Sequence, residues 1–431
     1  MKELIARVKK NTAKLFFSTS LSSGLNLLSV FLLSNLLGLE QFGYIILIFT
    51  FIEIIDSIIN LKSWKAFIKF GIEHKNDSSK ISTLFLYCFT LDFLFIVIAF
   101  FCSFFLFDYY ILFYNISEDY NLILKPLLFL LLFKSFDLYI GVTRVFGQYN
   151  FQVITEVIQS VVTFFGLLFV FYNSGSIDEV IWVYLLSSFI GMILKIKFLN
   201  RIFKLNHIKL IIDFGEFKQE VSGKTSLLYF IVYNNLNDSI RVLSRKVDFI
   251  IIGKLLGSDS VGIYKIVVSI CSIISKLVDP LYQVIYPEIA NLYSRKKFIE
   301  LYSFSKKITV NILIVLCIYN LFFFFFAEYF LHFFINENVG LVFNLSLYQN
   351  IPISLSILAT CLPSIMDSFG LVKKSFIINF IASIVYMILI YQMINLYGII
   401  GSIYSYIIYY IIWISLTLLY VSKSYRNLIE S

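Results

Sequence analysis

Long apolar runs recur along the chain, separated by short polar connections, at 15–37, 43–61, 83–107, 123–143, 151–172, 180–198, 225–253, 262–286, 308–333, 341–368, 376–395 and 399–421. A helix needs about 20 apolar residues to cross a bilayer. The pattern therefore predicts an all-α integral membrane protein with about twelve transmembrane helices.

Composition agrees and removes several classes of function. Of 431 residues, 59% are hydrophobic and 14% are charged, against roughly 25% charged in ordinary soluble domains. The twelve runs consume more than half of the chain, and the connections that remain are too short for a soluble catalytic domain. The formal charge of +8 is spread over loops rather than gathered on a polar domain, so nucleic acid is not an expected partner. Cys88, Cys102, Cys271, Cys317 and Cys361 all fall in apolar runs without a CxxC pair, and read as buried thiols. The basic start, Met1 to Lys14, precedes a run too long for a signal-peptide core, so the N-terminus is expected to stay on the protein. Heavy use of Ile, Phe, Lys, Asn and Tyr points to an AT-rich bacterial genome.

Charge placement sets the expected orientation. The N-terminal segment and every second connection together hold 27 of the 35 Lys and Arg, whereas the intervening connections are short and acidic where charged, as at Asp108, Glu118 and Asp119. Basic loops stay on the cytoplasmic side. A multi-pass protein of the bacterial cytoplasmic (inner) membrane with both termini in the cytoplasm is expected, and an even number of spans satisfies it.

The chain also repeats itself. Leu36-Leu37-Gly38-Leu39-Glu40-Gln41-Phe42-Gly43 returns as Leu255-Leu256-Gly257-Ser258-Asp259-Ser260-Val261-Gly262, 219 residues later, and Phe146-Gly147 returns as Phe369-Gly370 after 223. Both offsets are close to half the chain. Two six-helix lobes in the same orientation follow, 1–205 and 225–431, joined by a cytoplasmic linker at 206–224. Parallel repeats of this kind are related by an axis along the membrane normal, and a substrate site is expected between them.

Polar residues inside the spans carry the candidate chemistry, because a charge at mid-bilayer costs several kcal/mol and must face protein or water. Span seven holds Asn234, Asp238, Arg241, Arg245 and Asp248 at steps of three or four residues, along one helical face. Two readings stand: an intrahelical ladder of Asp238 with Arg241 and Arg245 with Asp248, or two guanidiniums offered to a phosphate group. Span two carries Glu53, Asp56, Ser57 and Asn60 on one face. Span eight carries Ser269, Ser272, Lys276 and Asp279, followed by Pro280, which is expected to kink it. Span one shows a stripe of Ser18, Ser22, Asn26 and Ser29, a pattern that also serves close helix packing. Spans one, two, seven and eight are equivalent pairs under the repeat, and together can line a hydrophilic cavity. Lys134 and Asp137, three apart in span four, are expected to neutralise each other, and Asp92 and Glu156 read as structural partners or cavity residues.

No metal site is expected, since His74, His207 and His332 lie apart from one another and from any Cys or acidic cluster. No P-loop or nucleotide-binding turn occurs, so no cofactor is expected and energy must come from an ion gradient or from removal of product. An enzyme such as a polysaccharide polymerase would want a large outer loop, and the longest, about 108–122, is short.

The order of Leu36–Tyr44, Val247-Asp248-Phe249-Ile250-Ile251-Ile252-Gly253-Lys254-Leu255-Leu256-Gly257, Val261-Gly262-Ile263-Tyr264, Tyr286-Pro287-Glu288 and Gly398-Ile399-Ile400-Gly401 resembles the O-antigen and polysaccharide repeat-unit flippases of the multidrug/oligosaccharidyl-lipid/polysaccharide exporter superfamily. Phe249 departs from it, standing where such proteins often carry Arg. The resemblance covers essentially the whole chain. It implies two six-helix lobes and alternating access that carries an undecaprenyl-diphosphate-linked oligosaccharide from the inner to the outer leaflet, for O-antigen, capsule or exopolysaccharide assembly. Under that reading Arg241, Arg245 and Lys276 attract the diphosphate, while Ser22, Asn26, Asn234 and Asn237 bond to sugar hydroxyls. Glu53, Asp56, Asp238, Asp248 and Asp279 are the candidates for coupling to H+ or Na+. Membrane lipids, a polysaccharide polymerase and a chain-length regulator are the expected partners. An ion-coupled small-molecule or drug exporter of the same superfamily is the rival reading, and it would favour an acidic cavity.

Overall fold

Hydrocarbon offers no partner to a backbone amide, so a chain this apolar must close its hydrogen bonds within helices. The computed structural model describes residues 2–208 and 225–430, and the described residues form helices without strands. In chain order these are α1 (Lys2–Ile59), α2 (Trp64–Glu73), α3 (Ser78–Phe113), α4 (Glu118–Leu124), α5 (Phe129–Leu132), α6 (Tyr139–Val145), α7 (Tyr149–Tyr172), α8 (Ile177–Leu205), α9 (Thr225–Leu256), α10 (Ser258–Ser294), α11 (Phe298–Phe334), α12 (Val339–Leu358), α13 (Cys361–Ser368), α14 (Val372–Tyr397) and α15 (Ile399–Glu430). Most of the expected linker, 209–224, lies outside the described residues.

Nine described helical segments are long and apolar enough to cross a membrane. Their relation to the twelve expected spans is physical rather than arithmetic. The segment Thr19–Ile59 contains the first two spans, joined through Gly38. Span seven, in α9, carries too many charges to register by apolarity. Span four is not one helix: between Glu118 and Val145 short α turns alternate with 3-10 turns at Lys125–Leu128 and Phe133–Phe136. Pro126 sits in the first of these, where it donates no backbone bond.

The chain divides into two compact units, Met1–Lys246 and Val247–Ser431. The first part of α9 thus belongs to the first unit, and the boundary falls within that helix. The first unit has a core in which Phe67 of α2, Leu84 and Cys88 of α3, Tyr139 and Val142 of α6, Ile202 of α8 and Leu227 of α9 are all buried. Gly141 permits the approach of α2 to α6, because a Cβ there would meet the carbonyl oxygen of Trp64 at 2.9 Å. Asp77 starts α3 by accepting the N–H groups of Ser79 and Lys80, each at 3.1 Å. The N–H of Lys80, then its ammonium, and the N–H of Ser79 hold this exposed carboxyl below its ordinary value. The second unit has smaller buried clusters, one with Ile285, Ile289, Leu301, Cys361 and Ile365, and another with Ile274, Ile312, Leu316 and Ile357. Outward phenylalanines such as Phe324, Phe325 and Phe326 of α11 form the surface that lipid covers.

The internal repeat is written in backbone geometry. Gly38 has φ 73° and ψ 169°, and its counterpart Gly257 has φ 88° and ψ 173°. This region belongs almost solely to glycine. The second echo matches as well: Gly147 and Gly370 have φ 69° and 70°. In the first copy the N–H of Gln148 donates to the carbonyl of Thr143, and in the second the N–H of Leu371 donates to that of Met366. Both are the six-to-one bond that closes a helix C-terminus. Asn115 and Asn338, at φ 53° and 58°, add a third pair 223 residues apart.

One feature breaks the repeat. In the first unit the helix stops at Ile59, Lys62 takes φ 48°, and α2 begins at Trp64. The corresponding stretch of the second unit is α10, which continues through Pro280 as one helix to Ser294. The interruption therefore lies in the copy without the proline, and side chains rather than a missing N–H must create it.

At Gly38 and Gly257 a Cβ would meet nothing within 4 Å, so substitution there isolates backbone strain from crowding. Gly38→Ala and Gly257→Ala should each destabilise the protein by about 1–3 kcal/mol. Gly24→Ala, in helical backbone with equal space, should not. Thermal unfolding in detergent checks the contrast, and equal midpoints for all three would refute it.

Candidate functional site

The break in the first unit is built around Asp56, which is buried three residues before the helix ends. Burying a carboxylate is tolerable only with counter-charge and hydrogen bonds. Asp56 has both: Lys62 approaches at 3.2 Å, Lys134 at 3.1 Å, and the Asn60 amide donates at 2.9 Å. The N–H of Lys62 in turn donates to the Asn60 side chain at 3.2 Å, which fixes the left-handed turn. On the far side of the break, Asp92 of α3 accepts the N–H of Ser63 at 3.0 Å and its hydroxyl at 2.8 Å. Asp92 thus caps α2 from another helix, a structural task.

The first part of α9 docks on the same place. Ser239 donates to the carbonyl of Ser57, and the Asn235 amide, with its nitrogen facing the turn, donates to Asn60 at 2.8 Å and Ser57 at 3.3 Å. These are the carbonyls that a helix end leaves without partners. Lys65 pairs with Asp238 one turn away, and Glu53 pairs with Lys246 at 2.6 Å.

Two helical faces then meet in an open cavity of about 280 Å³. Phe49, Ile52 and Glu53 line it from α1, and Leu130, Phe133, Lys134 and Asp137 from the stretch of short α and 3-10 turns. From α7 and α8 come Gln159, Ser188 and Lys195, and Lys195 holds Asp137 at 2.6 Å. The expected pairing of Lys134 with Asp137 is therefore corrected. Lys134 turns to Asp56 and Asp137 to Lys195, because helices two spans away in sequence are nearest neighbours in space. Glu156 receives the Gln152 amide at 2.9 Å, one turn away on α7.

Of the other expected site residues, Ser22 has a buried hydroxyl without a hydrogen-bond partner, Asn26 is exposed on α1, and Ser29 bonds back to the carbonyl of Leu25 at 2.9 Å. Arg245 is exposed on α9, and Lys276 is half-buried on α10. The side chains of Ser18, Asn234, Asn237, Arg241 and Asp279 lie outside the described residues. Asp248 belongs to the second unit, buried, where it accepts the Tyr264 hydroxyl at 2.7 Å and its neighbouring N–H from Phe249 at 2.8 Å. Asp238 has Lys65 as an ion-pair partner, a contact that spacing within α9 did not suggest. Sequence reasoning also missed Ser239, Asn235 and Lys246, hidden among stronger charges on the same helix. The repeated heptad of Glu53/Asp56 and Lys134/Asp137 was the signal that could have joined spans two and four.

Comparison with known proteins places this geometry in context. A family profile described as polysaccharide biosynthesis protein matches residues 8–293. No curated protein matches the chain. Among solved structures, an inward-facing multidrug resistance MATE family transporter of the MOP superfamily superposes with a TM-score of 0.74 at 12% identity, covering 98% of this chain and 96% of the other. A MATE protein in complex with MaD3S gives 0.68 at 15% identity, covering 99% and 97%. A MOP superfamily transporter from Pyrococcus furiosus, described with a binding pocket of reverse polarity, gives 0.66 at 14% identity, covering 96% of each chain. At these identities the likeness establishes a shared two-lobe transporter fold.

Asp56 holds two cations, so the site has a directional weakness. Asp56→Ala leaves Lys62 and Lys134 facing each other and should cost about 3 kcal/mol, the scale for breaking a buried pair. Lys134→Met leaves Asp56 with Lys62 and should cost clearly less. Unfolding midpoints for the two variants and the double variant decide the order, and a larger loss in Lys134→Met would overturn the shared-carboxylate account.

Proposed function

Since this chain belongs to the polysaccharide biosynthesis protein family, a family of membrane transporters by fold, we propose that it flips an undecaprenyl-diphosphate-linked oligosaccharide from the cytoplasmic to the outer leaflet by alternating access. The product then feeds assembly of O-antigen, capsule or exopolysaccharide. The observation that carries this reading is the sharing of Asp56 by Lys62 and Lys134. Each of these ammonium groups gives part of its donor capacity to Asp56 and keeps further N–H groups for another acceptor. An anionic headgroup is a ligand that such ammonium donors suit.

The physical need for a protein is large. A sugar chain carried through hydrocarbon would lose its water with nothing in return. The paired charges of the first unit supply that return: Glu53, Lys62, Lys65, Lys134, Asp137, Lys195 and Asp238 are held in ion pairs, and a paired ammonium or carboxylate has more donor or acceptor positions than one partner uses. The isoprenoid tail stays in lipid throughout. Arg241, Arg245 and Lys276 extend the cationic set, and Ser22, Asn26, Asn234 and Asn237 the hydrogen-bonding set. Coupling to H+ or Na+ falls to Glu53, Asp56, Asp238, Asp248 or Asp279, and a polymerase with its chain-length regulator receives the flipped unit.

Deletion in the source bacterium tests the reading. Complete single units should accumulate facing the cytoplasm while surface polymer is lost. Units that reach the outer leaflet unpolymerised would indicate a polymerase, and unchanged glycolipid would leave drug export. On complementation, Lys62→Ala/Lys134→Ala should restore less than a tenth of surface polymer per molecule present in the membrane, since two charge-assisted contacts of about 1.5–3 kcal/mol each are removed. Each single variant should restore an intermediate amount.

A further inference from the structure

The cavity beside Asp56 has a size, a charge balance and a wall chemistry that together specify a ligand. At about 280 Å³ it sits near the lower end of the range of roughly 300–1,000 Å³ for small-molecule pockets, suited to one ring rather than a chain of them. Its polar wall consists of Glu53, Lys134, Asp137, Gln159, Ser188 and Lys195. Two cations face two anions, and each is already in an ion pair: Lys195 with Asp137 at 2.6 Å, Lys134 with Asp56 at 3.1 Å, and Glu53 with Lys246 at 2.6 Å. The wall therefore presents many hydrogen-bonding positions and little net charge. An ammonium that gives one N–H to a carboxylate keeps two more, and a carboxylate keeps further lone pairs.

Two other groups are poised without a partner. Neither the Gln159 amide nor the Ser188 hydroxyl bonds through its side chain to another described residue, although both line the cavity. The Gln159 amide has its place because of Gly191, where a Cβ would meet its Oε1 at 2.9 Å. The apolar side combines Ile52 and Leu130 with two aromatic rings, Phe49 and Phe133. Phe49 is braced by Tyr184 with ring centroids 4.9 Å apart, and Phe133 by Phe189 at 5.9 Å. A polar rim of alternating donors and acceptors with aromatic walls matches a pyranose, which has hydroxyls around its edge and C–H groups on its faces.

We propose that this cavity of the first unit binds one uncharged pyranose ring, the sugar nearest the diphosphate. The assignment rests on the flippase reading above, and it adds the class of sugar and its location. Lys134 links the two sites, since it lines the cavity and also faces Asp56. A uronic acid is disfavoured because the wall sets Glu53 and Asp137 beside Lys134 and Lys195, two anions against two cations, whereas Lys62 and Lys134 share one carboxylate. Bare diphosphate does not fill the cavity, since its charges are answered at Lys62 and Lys134.

Cysteine protection on the full chain in detergent tests this. The background is Cys102→Ala/Cys317→Ala, which leaves the buried Cys88, Cys271 and Cys361. Into it Ser188→Cys and, separately, Gln159→Cys are introduced, and the rate of modification by a charged methanethiosulfonate is measured. The probes are the undecaprenyl-linked saccharide extracted from the deletion strain, undecaprenyl diphosphate, methyl glucoside and glucuronate. The saccharide lipid should slow labelling about tenfold once it exceeds its Kd about tenfold, with methyl glucoside protecting more than glucuronate. Undecaprenyl diphosphate should not protect. Protection by undecaprenyl diphosphate as strong as by the saccharide lipid, or by glucuronate above methyl glucoside, overturns the proposal. So does unprotected labelling of both cysteines by every probe. The deletion phenotype is scored separately, so a flippase whose cavity stays unprotected refutes this assignment alone, and a strain with unchanged glycolipid refutes the flippase reading.

Discussion

A carboxylate placed among lipid-facing helices must find its counter-charge inside the protein, and the arrangement around Asp56 follows from that constraint. With Asp56 buried, Lys62 has to turn back toward it, and the turn requires φ 48° at Lys62 and the end of the helix at Ile59. Ending the helix exposes the carbonyls of Ser57 and Asn60, which Ser239 and Asn235 then satisfy from α9. Starting α2 exposes its first N–H groups, and Asp92 answers the one on Ser63. Four helices, α1, α2, α3 and α9, are thereby fixed to one another by the consequences of a single buried charge.

The same constraint explains why two copies of one ancestral unit differ where they do. The glycine turns are shared, because Gly38/Gly257 and Gly147/Gly370 solve a backbone problem common to both copies. The break at 60–63 is not shared. Pro280 does not end α10, which runs on to Ser294, and a long helix can survive the loss of one backbone bond. Side-chain electrostatics breaks the first copy more completely than proline breaks the second.

Legibility in the sequence divided along the range of the interactions. Apolar runs and glycine turns are local, so the spans, the repeat and both echoes were readable, as was the apolar character that makes α11 a lipid-facing helix. Span four was read as one helix because its apolarity is continuous, whereas Pro126 and the turn at Phe133–Phe136 reshape it into shorter pieces. Partner choice was the least readable. Spacing of three residues favoured Lys134 with Asp137, yet their ion-pair partners, Asp56 and Asp137's Lys195, are separated from them by 78 and 58 residues. Helix-surface spacing lists which residues can meet on one helix, and it says nothing about a stronger partner supplied by the fold. Arginine drew attention on α9 for its bidentate geometry, while the described ion pairs of the first unit are made by lysine.

On the proposed flippase reading, that preference for lysine suits a site that must release what it binds. Guanidinium holds phosphate through a rigid fork, whereas an ammonium is a compact charge with rotatable donors and strong hydration. A lysine already paired with a carboxylate exchanges one anion for another, so the gain on binding is the difference between two similar interactions rather than the whole of one. At an effective dielectric constant of about 20, unit charges 4 Å apart interact by about 4 kcal/mol. Forfeiting part of that to a resident carboxylate keeps the bound state shallow. On the proposed reading, two lysines on Asp56 set a compromise: ammonium donors that draw an anionic headgroup into the protein, and a resident anion ready to take its place when the headgroup leaves.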